Sequence, residues 1–269
     1  MRAPSDRRSD QPRYEEYAPP PDLARQVRCF WRIHAASAPP TPNRICPDGC
    51  ADVLLTAGGS VRAVGTMRSA TVVPLVGRVD TLGIRFEPGE ALAFFDVPLI
   101  ELTDTTTSVE DLGWHAAREL RERLDDAPTT ADRIALLVTA LRVRREQATR
   151  WTTSERVRAA VRLLERGNVD VRRVCEAVGA SERALERRFR EMVGLPPKGF
   201  ARVTRFRRGL ERIQRRPRPR YAAIALEAGY ADQAHFIREF RSLAGVTPAG
   251  FAREWDAVGF VQYGSRIQG

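Results

Sequence analysis

The chain has 269 residues, 43% of them hydrophobic, enough for one large core or two ordinary ones. No run approaches the roughly 20 apolar residues that a membrane-spanning helix needs, and the charged start Met1–Asp10 has no apolar signal core behind it, so a soluble cytoplasmic protein without a membrane partner is expected. The formal charge of +10 is unevenly placed: residues 151–269 hold 24 Lys/Arg against 13 Asp/Glu, whereas the rest of the chain holds 20 against 21. A positive field confined to one half suits a polyanion such as nucleic acid, although a solvated arginine-rich surface has the same composition.

In chain order, residues 1–22 are polar, proline-containing and without periodicity, which predicts a flexible tail. From 23 to about 99 the pattern is that of short strands. Val27, Cys29, Trp31 and Ile33 alternate, Val53–Leu55 precede a Gly58-Gly59 turn, and Leu82, Ile84 and Phe86 alternate before Pro88-Gly89. The fold class expected is a mostly β, barrel-like N-terminal domain with a helical extension, followed by an all-α domain. Ala91–Phe95 is expected to close one end of the barrel. Leu112–Leu124 and Ala131–Val143 read as helices, the second with Ile134, Leu137 and Leu141 on one face. This helical pair either packs on the barrel or forms a homodimer contact. The charged stretch Arg142–Arg150 marks a boundary, giving a sensing or dimerisation domain at 23–149, a helical domain at 150–259 and a C-terminal tail at 260–269.

The helical domain is built on a repeat. Asp170 is placed to cap a short helix, Val171–Val178; Gly179 supplies a tight turn, and Ser181 is placed to cap a second helix with Leu185, Phe189 and Met192 on its buried side. Its outer surface is polar and arginine-rich, as in the reading helix of a helix-turn-helix. The segment Phe189–Arg202 returns 51 residues later as Phe240–Arg253, and backward extension pairs Leu185 with Phe236, Arg187 with Arg238, and Ser181 with Asp232. Gly179 pairs with Gly229 at an offset of 50, so the second turn is one residue longer. Between the units, Pro197 suits the first position of a linker helix running to about Gln214. Its length of about 25 Å, with the width of the units, is suited to holding two reading helices one turn of B-DNA, about 34 Å, apart.

Other chemistry is weaker. Cys46 and Cys50 flank a Pro-Asp-Gly turn, and Cys29 or His34 could approach them, but there is no second close pair as in zinc sites; buried structural thiols are the simpler reading. Asp48, Asp52, Arg85 and Glu87 are candidates for polar groups of an effector pocket, or for turn and strand-surface residues. Only three histidines exist, His34, His115 and His235, so no catalytic site, metal or cofactor is expected.

Ile224–Phe240, ending in Gly245-Val246-Thr247-Pro248, with Gly179, Ser181, Leu185, Arg187, Phe189 and Gly194 in the first unit and Arg205 and Leu210 in the linker, resembles the DNA-binding domain of the AraC/XylS family of bacterial transcription regulators over about 152–255. The resemblance implies a bipartite, sequence-specific binder of operator double-stranded DNA that acts, as activator or repressor, on RNA polymerase. It implies base-reading roles for Arg183, Glu186, Arg187, Gln233, His235 and Arg238. Arg190, Lys198, Arg202 and Arg241 suit phosphate contacts, and Gly179, Ser181, Gly229 and Asp232 form the turns and caps. The linker departs from the family pattern at Gly209, where Ala is usual, at a cost of about 1 kcal/mol in a helix. In the N-terminal half, Cys46–Asp52 and Gly83–Gly89 resemble the markers of a domain that precedes this unit in uncharacterised members, which implies effector sensing or dimerisation without naming a ligand.

Overall fold

The computed structural model describes residues 12–95, 97–147, 154–167, 170–216 and 219–258. Its N-terminal half is a six-stranded antiparallel sheet: β1 (Arg13–Tyr17), β2 (Val27–Ile45), β3 (Asp52–Thr56), β4 (Val61–Val64), β5 (Thr71–Phe86) and β6 (Thr106–Ser108). The strand order is β1-β2-β5-β3-β4-β6. Strand β1 lies inside the segment expected as a tail; Tyr14 packs on Trp31, with ring centroids 5.9 Å apart, and that contact seats the edge strand.

The expected barrel is not formed. The sheet is open, with β1 and β6 as its two edges and no pairing between them among the described residues. Closure requires edge strands that can share a continuous ladder, and here one edge has five residues and the other three. One face of the open sheet packs against the helical half: Phe30, Val53, Ile84 and Phe86 belong to one hydrophobic cluster with Phe94, Phe95, Phe189, Phe200 and Phe206. Phe86 stacks on Phe94 at 4.8 Å and meets Phe95 edge-on at 5.8 Å.

The long β2–β5 ribbon carries a second, smaller core. Its partners run Ala35↔Val79, Ala38↔Gly77 and Thr41↔Leu75, so β2 advances three residues for every two of β5 at two successive places. Such bulges bend a ribbon, and Leu75 joins Cys29, Trp31 and Ile33 on the other face. Trp31 lies over Gly83, where an added Cβ would sit 2.1 Å from the indole.

Short 3₁₀ turns at Ala91–Ala93, Leu99–Leu102 and Glu110–Leu112 lead to α1 (Ala117–Asp126) and α2 (Thr130–Gln147). The helix expected over Leu112–Leu124 is split because Gly113 adopts a left-handed conformation, φ 76°, after the last turn. Arg144 of α2 donates to the carbonyls of Phe94, Leu112 and Gly113, which seats the helical pair on the sheet domain. The expected boundary at 149–150 and the C-terminal tail at 260–269 fall outside the described residues, as does the tail through residue 11.

The second half is helical: α3 (Glu155–Arg166), α4 (Val171–Val178), α5 (Glu182–Val193), α6 (Pro197–Gln214), α7 (Tyr221–Ala228), α8 (Gln233–Ala244) and α9 (Pro248–Val258). The hydrophobic cluster runs unbroken from Leu23 to Phe251, so one core passes through both halves. Among the described residues no helix is long and apolar enough to cross a membrane.

Candidate nucleic-acid interface

The two expected units are present and match down to their backbone hydrogen bonds. At the end of α4, Gly179 at φ 61° and Ala180 donate to Glu176 O and Cys175 O; at the end of α7, Gly229 at φ 91° and Tyr230 donate to Leu226 O and Ala225 O. A glycine is needed at both places because only it adopts the left-handed conformation without strain. The next helix then starts on a side-chain cap. Ser181 Oγ accepts from Ala184 N at 3.3 Å, and Asp232 Oδ1 accepts from His235 N at 2.6 Å.

The buried stripes are also equivalent. Leu185, Phe189, Met192 and Val193 face the core from α5, and Phe236, Phe240, Leu243 and Ala244 do so from α8. This leaves Arg183, Glu186, Arg187 and Arg190 exposed on α5, and Gln233, Arg238 and Arg241 exposed on α8. Glu186 accepts from Arg190 at 2.8 Å. His235 is half-buried, edge-on to the Tyr230 ring at 5.2 Å, with Nε2 3.9 Å from Glu239. It therefore shares the side of α8 that faces the linker. Lys198 is exposed at the start of α6, whereas Arg202 is partly engaged, donating to Ser242 Oγ at 2.8 Å with Nε 3.3 Å from Glu239.

The linker helix holds both units. Phe200 of α6 meets Phe189 at 5.5 Å and Phe206 meets Phe240 at 4.9 Å. Gly209, unfavourable for the helix alone, gives room to the second unit: a Cβ there would lie 2.8 Å from the Phe236 ring. Sequence reading did not single out Glu239 as a site residue. Its carboxylate takes hydrogen bonds from Arg205 at 2.7, 2.8 and 3.1 Å, and the Arg205 guanidinium lies 4.8 Å over Tyr230. Burial opposes the Arg205 charge, but the Glu239 carboxylate outweighs it and raises its pKa.

The sheet domain grips the two units at matching points. The residues closing α5, Val193 and Gly194, offer their carbonyls to Thr66 Oγ1 at 2.6 Å and Thr103 Oγ1 at 2.7 Å. The residues closing α8, Leu243 and Ala244, offer theirs to Ala70 N at 2.7 Å and Arg44 Nη1 at 2.8 Å. These are carbonyls that a helix end leaves without intrahelical partners. Thr66 and Ala70 belong to the same β4–β5 connection, so one short segment touches the ends of both outer helices. Arg44 also pairs with Glu254 of α9 at 2.8 and 2.9 Å.

The Pro47-Asp48-Gly49-Cys50 turn has a role on each side. Gly49, at φ 83°, lies against Phe200 so closely that a Cβ would sit 2.5 Å from the ring. Gly49→Ala is accordingly expected to cost about 1–2 kcal/mol from backbone conformation alone, with the contact to α6 disturbed in addition. Urea unfolding measures this, and unchanged stability would contradict the contact. Asp48 Oδ1 accepts from Cys50 N at 2.9 Å, and its other oxygen lies 3.3 Å from Arg85 Nε.

Arg85 is 3% exposed and also binds Asp52 through two hydrogen bonds of 3.0 and 3.1 Å, while Trp31 Nε1 donates to Asp52 at 3.1 Å. Two carboxylates thus share one guanidinium. Burial works against both charges; for Asp48 the Arg85 charge and the Cys50 N–H prevail and hold the carboxyl below its usual range, whereas for Asp52 burial prevails and pushes it up. Of the four candidate pocket residues the structure brings these three together. Glu87 instead accepts from Arg28 at 2.7 Å, and Arg28 reaches Glu165 of α3 at 2.9 Å, a further tie between the halves. Cys29, Cys46, Cys50 and Cys175 are buried free thiols whose pKa values burial raises. Among the described residues no group of three or more His, Cys, Asp or Glu is placed to hold a metal ion.

Comparison with known proteins gives two separate family matches. Residues 174–254 match a helix-turn-helix domain family, and residues 15–108 match a domain family of unknown function (DUF6597). No curated protein matches the chain. Among solved structures, an AraC-type DNA-binding domain-containing regulator from Chromobacterium violaceum is 24% identical over 37% of this chain and 90% of its own, with a TM-score of 0.35. The DNA-binding domain of AdpA in complex with a target DNA is 23% identical over 43% and 96%, at 0.34. ToxT from Vibrio cholerae is 10% identical over 92% and 98%, at 0.42. The duplicated motif and both matching glycine turns lie within the residues that match the helix-turn-helix domain family.

Proposed function

We propose that α5 and α8 enter successive major grooves on one face of B-DNA, and that the sheet domain controls this binding in response to an effector. The observation that carries the first part is the equivalent placement of α5 and α8, each turned outward from a buried stripe of the same spacing and both fastened to α6. Arg183, Arg187 and Arg238 have the reach to donate two hydrogen bonds to guanine O6 and N7; Glu186 suits cytosine N4, and Gln233 suits adenine. His235 is assigned a base or phosphate contact at the groove edge. Arg190, Lys198, Arg202 and Arg241 contact phosphates and set register.

The test is selection from a random duplex pool followed by footprinting with the full chain. A protected, preferred stretch of roughly 15–20 base pairs is expected, somewhat under two turns of B-DNA; protection without preference would defeat the reading. Arg202→Ala is expected to weaken preferred and random duplexes alike and to lower the slope of log affinity against log salt by about one. An unchanged slope would remove its phosphate role.

The control reading assigns residues 23–149 to sensing and 150–259 to DNA binding. Its support is the double grip: a ligand that moves the β4–β5 connection moves the ends of both outer helices. Asp48, Asp52 and Arg85 are assigned to the effector region, beside the Gly49–Phe200 contact, and Glu87, which pairs with Arg28, to its link with α3. Dimerisation is assigned to α1 and α2, testable by sedimentation, and contact with RNA polymerase is proposed from the resemblance to AraC/XylS regulators alone.

A further inference from the structure

The two outer helices agree in what they bury and differ in what they present. With the 51-residue offset, the outward positions that α5 fills with Arg183, Glu186, Arg187 and Arg190 are filled on α8 by Ala234, Ile237, Arg238 and Arg241. Two charged side chains are thus replaced by two that cannot form a hydrogen bond. Ala234 is exposed. Ile237 is half-buried, yet it joins neither hydrophobic cluster, although Phe236 beside it is fully buried. Residues three and four apart share a helix face, so Ala234, Ile237, Arg238 and Arg241 form one stripe, with Gln233 one turn before Ile237.

The floor of the major groove has one apolar feature, the C5 methyl of thymine; its other edges are donors and acceptors. An isoleucine pressed on those polar edges strips them of water and returns no hydrogen bond, an unfavourable exchange. Against a thymine methyl the same side chain removes apolar surface from water on both sides. We infer that α8 recognises thymine through Ala234 and Ile237, so that the operator is chemically bipartite: a half read by hydrogen bonds beneath α5 and a half containing thymine methyls beneath α8. This rests on the groove-reading proposed above and adds to it the identity of the base.

The experiment uses the full chain and the best duplex from the random pool. Each thymine is replaced singly by deoxyuridine, which lacks only the C5 methyl. One or two replacements, all in the half whose discrimination Arg238→Ala flattens, are expected to weaken binding about fourfold each, the worth of one buried methyl. Ile237→Ala, which leaves both cores intact, is expected to bind the unmodified duplex as weakly as the original chain binds the replaced one, and to lose sensitivity at one of the replaced positions. A preferred duplex that tolerates every replacement overturns the inference while leaving groove reading in place. Sensitivity confined to the other half, or undiminished in Ile237→Ala, also overturns it. A pool that yields no preferred duplex overturns groove reading and this inference together.

Discussion

Arg85→Met is expected to destabilise the folded chain by about 3–5 kcal/mol, the cost of leaving buried carboxylates without their countercharge. The geometry makes this the most damaging single substitution at the cluster. The guanidinium is 3% exposed and serves Asp52 with two hydrogen bonds and Asp48 with a 3.3 Å contact, so its removal strands two acids at once. Replacement by an apolar side chain of similar length keeps the volume and isolates the electrostatic effect. The pH dependence has a definite sign. Without Arg85, burial raises both folded-state pKa values above the unfolded value of about 3.9. The folded variant then binds more protons than the unfolded chain, so its stability is greatest below about pH 4 and falls as pH rises through the raised values. In the parent, Asp48 is held low and acts in the opposite sense: its contribution is present above the unfolded value and is lost as pH falls through the depressed one. Urea unfolding of both chains between pH 4 and 8 should show the gap widening with pH. A constant gap would mean that the cluster is not charged as described.

Arg187→Ala with Arg238→Ala is expected to remove most of the preference for one duplex over another. A bidentate arginine–guanine pair discriminates by about 1–3 kcal/mol. The two side chains lie on separate units with no shared partner, so their effects should add to about 2–6 kcal/mol, a loss of roughly 30-fold to 10⁴-fold. Both are exposed, so the fold should be unaffected within about 0.5 kcal/mol. Titration of the preferred and a random duplex at fixed salt separates the outcomes. Selective loss on the preferred duplex supports base reading, with each single variant relaxing a different half. Equal loss on both would turn these arginines into phosphate contacts.

Much of the helical half was legible because its information is local. Gly179 and Gly229, the caps Ser181 and Asp232, and the stripes through Phe189 and Phe240 each depend on residues within a turn or two, and the 51-residue offset let one unit check the other. That same offset pairs Ala234 with Arg183 and Ile237 with Glu186, two apolar side chains that a pattern of hydrogen-bonding groups does not single out. His235 is legible as a polar residue of α8, but its edge-on contact with Tyr230 and its approach to Glu239 are visible only in the fold. Gly209 looked like a weakness in α6 until Phe236 was found to occupy its missing side chain's place.

The sheet was read less well. Alternation in Val27–Ile33 and Leu82–Phe86 correctly announced strands, but alternation says which side chains share a face and nothing about what covers that face. Whether strands close on themselves depends on edge length, bulges and competing surfaces, all set by residues distant in sequence. Here the helical half covers one face of the sheet, which stays open. The amino-acid order alone therefore determined the repeated DNA-binding unit, because each turn, cap and stripe is encoded within a few residues. Only the tertiary structure decided that Asp48 and Asp52 share Arg85, that Gly49 rests on Phe200, and that one short connection holds the ends of both outer helices. Those contacts join residues 33 to 173 positions apart, and no local pattern specifies them.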